Sequence, residues 1–256
     1  EFNGIYWHTE SQGHGRYVHR SKHRACRDAG IKLLMIWEDD WKDRRQIVEN
    51  MVRHVLGASQ LRRLDARSLF AERVGGAEAG AFFESTHIQG STVLWRTYGL
   101  RDSAGTLVAA LGLRCSAKGS RTGLSVGDVE IRRYSTSALV RGGFSKLLRH
   151  AERDLANEGV ELARWVSFAA QDVSYGKLYE ASGFVAESIV EPDYSYAGPS
   201  TNWRRRNKQN YSKAAFRKSD ALLYQEGVTE RVLASMNGLE RVWDCGKIKY
   251  VKTVKT

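Results

Sequence analysis

Residues Ile31–Trp37 read Ile-Lys-Leu-Leu-Met-Ile-Trp, a short and almost wholly apolar run. It is far too short to span a membrane, and it fits a strand covered on both faces better than one with a wet side. A helical segment, Val18–Ala29, precedes it and is stopped by Gly30; an amphipathic helix, Asp43–Leu56, follows and is closed by Gly57. With Phe2–Trp7 read as a strand, the opening is strand, helix, strand, helix in under sixty residues. That is too little to cover both faces of a sheet by itself.

Ala58–Arg63 reads as a junction, and a longer alternation follows. Strands are expected over Leu64–Val74, Thr92–Leu100, Thr106–Arg114, Val129–Tyr134, Ala163–Phe168 and Phe184–Val190, and helices over Ala77–Thr86, from Gly142-Gly143 to about Asn157, and over Tyr175–Ala181. Thr229 is placed to cap a helix over Glu230–Met236, and Arg241–Val251 reads as a hairpin around Asp244-Cys245-Gly246. Hydrophobic residues make up 42% of the 256 and aromatics 10%, which excludes general disorder. No apolar run approaches twenty residues, so no membrane partner is expected. Cys26, Cys115 and Cys245 are an odd number without paired spacing, which supports neither a disulfide framework nor a zinc site and fits a reducing, cytoplasmic location. Cys245 reads as a small buried side chain in a turn.

The formal charge of +11 is unevenly spread. Residues 201–256 carry thirteen basic and five acidic side chains, against ten and eight in residues 1–57. Trp203, Arg204, Arg205, Arg206, Lys208, Lys213, Arg217 and Lys218 form a segment with no acid, interleaved with Tyr211 and Phe216. Cations that displace phosphate counterions, beside rings that stack on bases, suit a polyanion such as double-stranded DNA; a solvated basic face is the other reading. Five of the seven histidines (His8, His14, His19, His23 and His54) lie in the first 57 residues. Phosphodiester hydrolysis needs a divalent cation on the phosphate, a base for the water and positive charge for the developing anion. Glu1 could supply an oxygen ligand, His8 the base, and His19 or Lys22 the positive charge; the alternative is core packing at Trp7 and ordinary surface at Lys22.

The pattern Glu1-Phe2-Asn3-Gly4-Ile5-Tyr6-Trp7-His8, then His19-x-x-Lys22, then Ile31–Trp37 followed by Glu38-Asp39-Asp40-Trp41, resembles the phage homing endonucleases related to the very-short-patch repair endonuclease, in the PD-(D/E)xK superfamily. The resemblance implies a metal ligand at Glu1, Asn3 in place of the half-motif lysine, the base at His8, a helix pair at His19 and Lys22, and an acid at Glu38. It also implies Mg²⁺, and host cytoplasm for a phage-encoded chain. The family's principal metal-binding aspartate lies upstream of this strand, so the resemblance implies a fragment, an upstream polypeptide that completes the module, or a dead nuclease, and the expectation is poor or no cleavage by this chain alone.

A second resemblance covers Leu64–Val190. Val140-Arg141-Gly142-Gly143-Phe144-Ser145-Lys146-Leu147-Leu148 and Gly176-Lys177-Leu178-Tyr179-Glu180-Ala181-Ser182-Gly183-Phe184 are similar to the GNAT acetyltransferase superfamily. That likeness implies a pyrophosphate held by backbone N–H groups at Arg141, Gly142 and Gly143, and Tyr179 as the acid for a departing thiolate. Val140 stands where the turn has Gln or Arg, and Ser145 where it has Gly or Ala. The same phage endonucleases carry a GNAT-like C-terminal region with H-x-Q-G and D-C-G, matched here by His87-Ile88-Gln89-Gly90 and Asp244-Cys245-Gly246.

The sequence is therefore read as α/β (α+β): a truncated restriction-endonuclease-like module (1–57), a GNAT-like mixed-sheet domain (61–200) and a basic extension (201–256) packing on it. The expected function is a homing-type, metal-dependent DNA endonuclease, with acetyl-CoA not expected as its cofactor. The alternatives are a GNAT-type acyl-CoA-dependent N-acyltransferase and a non-catalytic DNA-binding or assembly protein.

Overall fold

The computed structural model describes residues 1–115, 124–174 and 176–254. The elements run β1 (Phe2–Asn3), α1 (Val18–Asp28), β2 (Ile36–Trp37), α2 (Glu38–Asp43), α3 (Arg45–Val55), β3 (Arg63–Asp65), β4 (Phe70–Arg73), α4 (Gly76–Thr86), β5 (Arg96–Arg101), β6 (Leu107–Cys115), β7 (Asp128–Thr136) and β8 (Leu139–Arg141). They continue with α5 (Gly143–Asn157), β9 (Arg164–Ala170), α6 (Lys177–Ala181), β10 (Val185–Val190), β11 (Tyr194–Ala197), β12 (Arg206–Asn207), α7 (Lys213–Lys218), α8 (Glu230–Met236), β13 (Glu240–Trp243) and β14 (Lys247–Thr253). The expected helix start at Tyr175 lies outside the described residues.

These elements form two units. The first gathers Glu1–Arg45, Ala170–Tyr175 and Ile189–Lys247; the second gathers Gln46–Ala169, Gly176–Ser188 and Ile248–Thr256. The boundaries differ from those read in the sequence: residues 189–247 join the opening 45 residues, and the opening does not form a module of its own.

In the first unit, β1 and β2 pair in parallel over two rungs, Phe2↔Ile36 and Asn3↔Trp37. Only the last two residues of the apolar run are therefore strand, because β1 ends where the chain tightens into a single 3₁₀ turn at Tyr6–His8. Ile5 and Trp37 are buried with Ala197 and Val242, which come from strands much later in the chain. A three-stranded antiparallel sheet, β12-β11-β13, lies over Phe216, Leu233, Ala234 and Leu239. The expected hairpin at Asp244-Cys245-Gly246 does not form: β13 pairs with β11, whereas β14 belongs to the larger sheet. Thr229 caps α8 as its sequence suggests, accepting the Val232 N–H. Cys245 is buried, and burial pushes its thiol pKa up.

The second unit is built on a mixed seven-stranded sheet, ordered β10-β14-β9-β7-β6-β5-β4. β4 to β7 are antiparallel neighbours, while β7 and β9 run parallel, joined by a crossover through α5. Side chains alternate across β6: Ala109, Leu111 and Leu113 join the core with α5, and Ala110 joins the one with α4. The two helices therefore cover opposite faces. Phe144, Leu147, Leu148, Ala151 and Leu155 recur at helical spacing on α5 and are all buried. The mixed-sheet part of the expected fold is present in this unit.

Candidate functional site

β7 and β9 are parallel neighbours in the large sheet, and their pairing is short. It runs from Asp128↔Arg164 to Ile131↔Ser167 and stops, although both strands continue. The first rung is locked by a two-pronged ion pair: Arg164 Nε donates to Asp128 Oδ1 at 2.9 Å and Nη2 to Oδ2 at 2.8 Å. At the last rung, the Ser167 hydroxyl is shared between the Ile131 carbonyl (3.1 Å) and Tyr179 Oη (2.8 Å). On its other side β7 carries a bulge. Gly112 faces Arg133 and Leu113 faces Ile131, so Arg132 is the extra residue. The strands thus part at the point where β7 is bulged and a phenol hydroxyl is fixed.

Tyr179 reaches this point from α6, its ring stacked on Tyr250 at 5.2 Å and set edge-on to Phe144 and Phe184. Burial raises its pKa, only partly offset by the Ser167 hydrogen bond, so the phenol stays protonated at neutral pH.

Beyond the parting, the chain turns through β8, which pairs in parallel with β3, and enters α5. Gly142 takes a left-handed conformation (φ 74°) that side chains rarely adopt. A Cβ on Gly143 would lie 2.8 Å from Val140 Cγ1 and 3.3 Å from Tyr134 Oη. The first intrahelical bond here is from Lys146 N–H to the Gly142 carbonyl at 3.0 Å, so the N–H groups of Gly143, Phe144 and Ser145 point out of the helix end. A cavity of about 730 Å³ opens at Gly142, lined also by Arg67, Arg141, Lys146, Arg149 and Arg153 with Asp65 and Glu152. Both acids are engaged: Asp65 accepts the Arg67 N–H at 2.9 Å and Glu152 accepts the Trp165 indole N–H at 2.8 Å. Lys146 is engaged too, donating to the carbonyls of Ala66 and Leu69. The arginines leave the cavity cationic, and with a helix N-terminus that is a setting for a phosphate-bearing ligand.

Arg141, Gly142, Gly143 and Tyr179 are thus brought to one region. Sequence reasoning missed Lys146, Arg149 and Arg153, although their spacing puts them on one face of α5, opposite its apolar stripe. It also missed Arg67, Arg132 and Ser167, whose roles depend on pairing that no local pattern records.

In the first unit the residues read as a nuclease site also come together. Lys22 Nζ lies 2.7 Å from Glu1 Oε1, and the rings of His8, His14 and His19 are 4.4 to 5.5 Å apart. Their arrangement is not that of a metal centre. Among the described residues no group of three or more His, Cys, Asp or Glu side chains could hold a metal ion. Glu1 is neutralised by Lys22 rather than open to a cation, and Glu38 accepts the Ile5 N–H (2.9 Å) and the Lys42 ammonium (2.6 Å). The basic segment differs from its sequence reading as well. Arg204 pairs with Asp43, Arg205 with Asp39 and Asp40, and Lys208 with Asp193, so three of its seven cations are paired with acids outside the segment. Trp203 packs against the Ile5–Trp37 core. Arg206, Lys213, Arg217 and Lys218 have no ion pair among the described residues.

No protein-family model and no curated protein matches the chain. Solved structures of GNAT acetyltransferases do. One is the GNAT-family acetyltransferase from Streptococcus pneumoniae, at 13% identity, covering 73% of this chain and 99% of that one with a TM-score of 0.41. The ribosomal-protein-S18-alanine N-acetyltransferase from Escherichia coli matches at 12% identity over 73% and 95%, TM-score 0.40. A GNAT-family acetyltransferase from Elizabethkingia anophelis, solved with acetyl-CoA bound, matches at 9% over 73% and 99%, TM-score 0.36. These are acetyltransferases, not nucleases. With no group of three or more His, Cys, Asp or Glu side chains placed to hold a metal among the described residues, the expected Mg²⁺-dependent homing endonuclease of the PD-(D/E)xK type is set aside, and Mg²⁺ with it. No helix among the described residues is long and apolar enough to cross a membrane.

Proposed function

We propose that the second unit is an acyl-CoA-dependent N-acyltransferase of the GNAT type, with acetyl-CoA the cofactor that the sequence reading had put aside. One observation carries this reading: β7 and β9 part at Ile131 and Ser167, with Tyr179 Oη tied to that rung and the glycine-led start of α5 just beyond it. The residues fit the cofactor. The N–H groups of Gly143, Phe144 and Ser145, with Arg141 and Arg149, would hold its diphosphate. The absent side chain at Gly143 lets the helix start pack directly against Val140 and Tyr134. Acyl-CoA, when bound, supplies an activated acyl group and a thiolate leaving group. Tyr179 keeps its proton at Oη because it is buried, and so has one to give to a departing thiolate.

Calorimetric titration of the chain with acetyl-CoA tests this. Saturable one-site binding is expected, lost in Gly143→Trp and weakened at least about tenfold in Arg149→Glu, which touches no core residue. No binding by the unaltered chain would overturn the reading. A polyanion partner such as double-stranded DNA is a separate proposal for the first unit, supported by Arg206, Lys213, Arg217 and Lys218 alone, and a cytoplasmic location goes with both.

A further inference from the structure

The Ser167 hydroxyl has one proton and two acceptors within reach. Its oxygen lies 3.1 Å from the Ile131 carbonyl and 2.8 Å from Tyr179 Oη, and the residue is only 1% exposed. A hydroxyl donates to one of these at a time, while its lone pairs can accept. Two arrangements follow. In the first, Ser167 donates to the Ile131 carbonyl and accepts the Tyr179 proton. In the second, it turns to donate to Tyr179 Oη, and the phenol proton is directed elsewhere.

We propose that Ser167 is a positioning residue for acyl transfer: its hydroxyl turns from the Ile131 carbonyl to the Tyr179 oxygen as that phenol gives up its proton. The inference rests on the acyltransferase reading of the unit. As the acyl carbon bonds to the acceptor nitrogen, Tyr179 gives its proton to the sulfur, on which the breaking C–S bond leaves its electron pair. The negative charge stays on Tyr179 Oη until the proton shed by the acceptor nitrogen restores the phenol. A phenolate in this packing is costly unless a donor meets it. The ring is enclosed by Phe144 from α5, by Phe184 and by Tyr250 from β14. Of these only Tyr250 titrates, and its hydroxyl donates to Glu180 Oε1 at 3.0 Å. Burial raises the Tyr179 pKa and the Ser167 hydrogen bond lowers it, with no cation among the described residues contributing. Ser167 is thus the donor on which the phenolate depends, and the Ile131 carbonyl holds that donor until it is needed.

The test is a pH titration, followed by fluorine nuclear magnetic resonance, of the full chain carrying 3,5-difluorotyrosine in place of Tyr179. The fluorines bring the phenol pKa toward neutrality and report that one ring. Ser167→Ala is expected to raise the titration midpoint by about one pH unit or more, a tenfold gain in proton affinity. Ser167→Thr keeps the hydroxyl and is expected to return the midpoint. A midpoint unchanged or lowered in Ser167→Ala, or raised equally in Ser167→Thr, overturns the proposal. Calorimetric titration with acetyl-CoA in parallel keeps the two readings apart. Acetyl-CoA binding with an unmoved midpoint leaves the acyltransferase standing and removes only the role of Ser167. A raised midpoint without acetyl-CoA binding overturns the acyltransferase reading and this use of the hydroxyl with it.

Discussion

At the scale of single residues, two side chains carry opposite kinds of consequence. Tyr179 packs three aromatic neighbours with its ring and uses only its hydroxyl at the Ile131–Ser167 rung. Tyr179→Phe keeps the ring contacts and removes the proton. Steady-state kinetics should show kcat lower by about a hundredfold or more with KM for acetyl-CoA little changed, and the midpoint of thermal unfolding should barely move. A fall in KM affinity with unchanged kcat would remove Tyr179 from the chemistry. Arg205 is structural. Burial opposes its charge, yet Asp39 and Asp40 hold the guanidinium above its ordinary pKa, and it also lies 4.5 Å over the Trp37 ring. Arg205→Ala strands two carboxylates, one of them buried, and should cost about 3–5 kcal/mol in chemical denaturation of the first unit. Arg205→Lys should rescue little, since one ammonium cannot reproduce the fork.

At the scale of elements, α1 and the turn after β1 make the first unit sensitive to acid. Burial first, then His8 and His14, pull the His19 pKa from 6.5 down to about 4, with Glu1 pulling the other way and Lys22 adding to the depression. His8 is lowered as well, again by burial first. The unfolded chain takes up the His19 proton near pH 6.5, whereas the folded one resists until about pH 4. Stability is therefore full above pH 6.5 and lost as pH falls toward 4, by about 3 kcal/mol for His19 alone. Denaturation midpoints at pH 7.5, 6 and 5 followed by tryptophan fluorescence should fall in that order, and a flat profile would refute it. What was legible in the sequence follows from locality. The apolar stripe of α5, the Gly142-Gly143 turn and the Thr229 cap are set by neighbours within a turn or two, and they stand where the pattern puts them. The basic segment looked unbalanced because Asp39, Asp40 and Asp43 lie some 160 residues away. Ile31–Trp37 looked like a whole strand, but apolar content does not determine how long its partner is; β1 offers two rungs. The Arg132 bulge and the early end of the β7–β9 ladder are properties of pairing, invisible to any single strand.

At the scale of the whole molecule, contacts place the late residues 189–247 with the opening 45, so the chain leaves and re-enters each unit. The opening motif lies in the first unit with its histidines gathered but without a metal-holding set among the described residues, and the proposed chemistry lies in the second. The most direct measurement is hydrogen exchange of the intact chain with and without acetyl-CoA. A ligand held at the parted strands stabilises the state that binds it by about 2.7 kcal/mol at a hundredfold excess over Kd. Slowed exchange is expected over residues 141–146 at the start of α5 and 132–136 on β7, with the stretch around His8 to His19 unchanged. Unchanged exchange at both 132–136 and 141–146 in the presence of saturating acetyl-CoA, or protection confined to the first unit, would contradict the account.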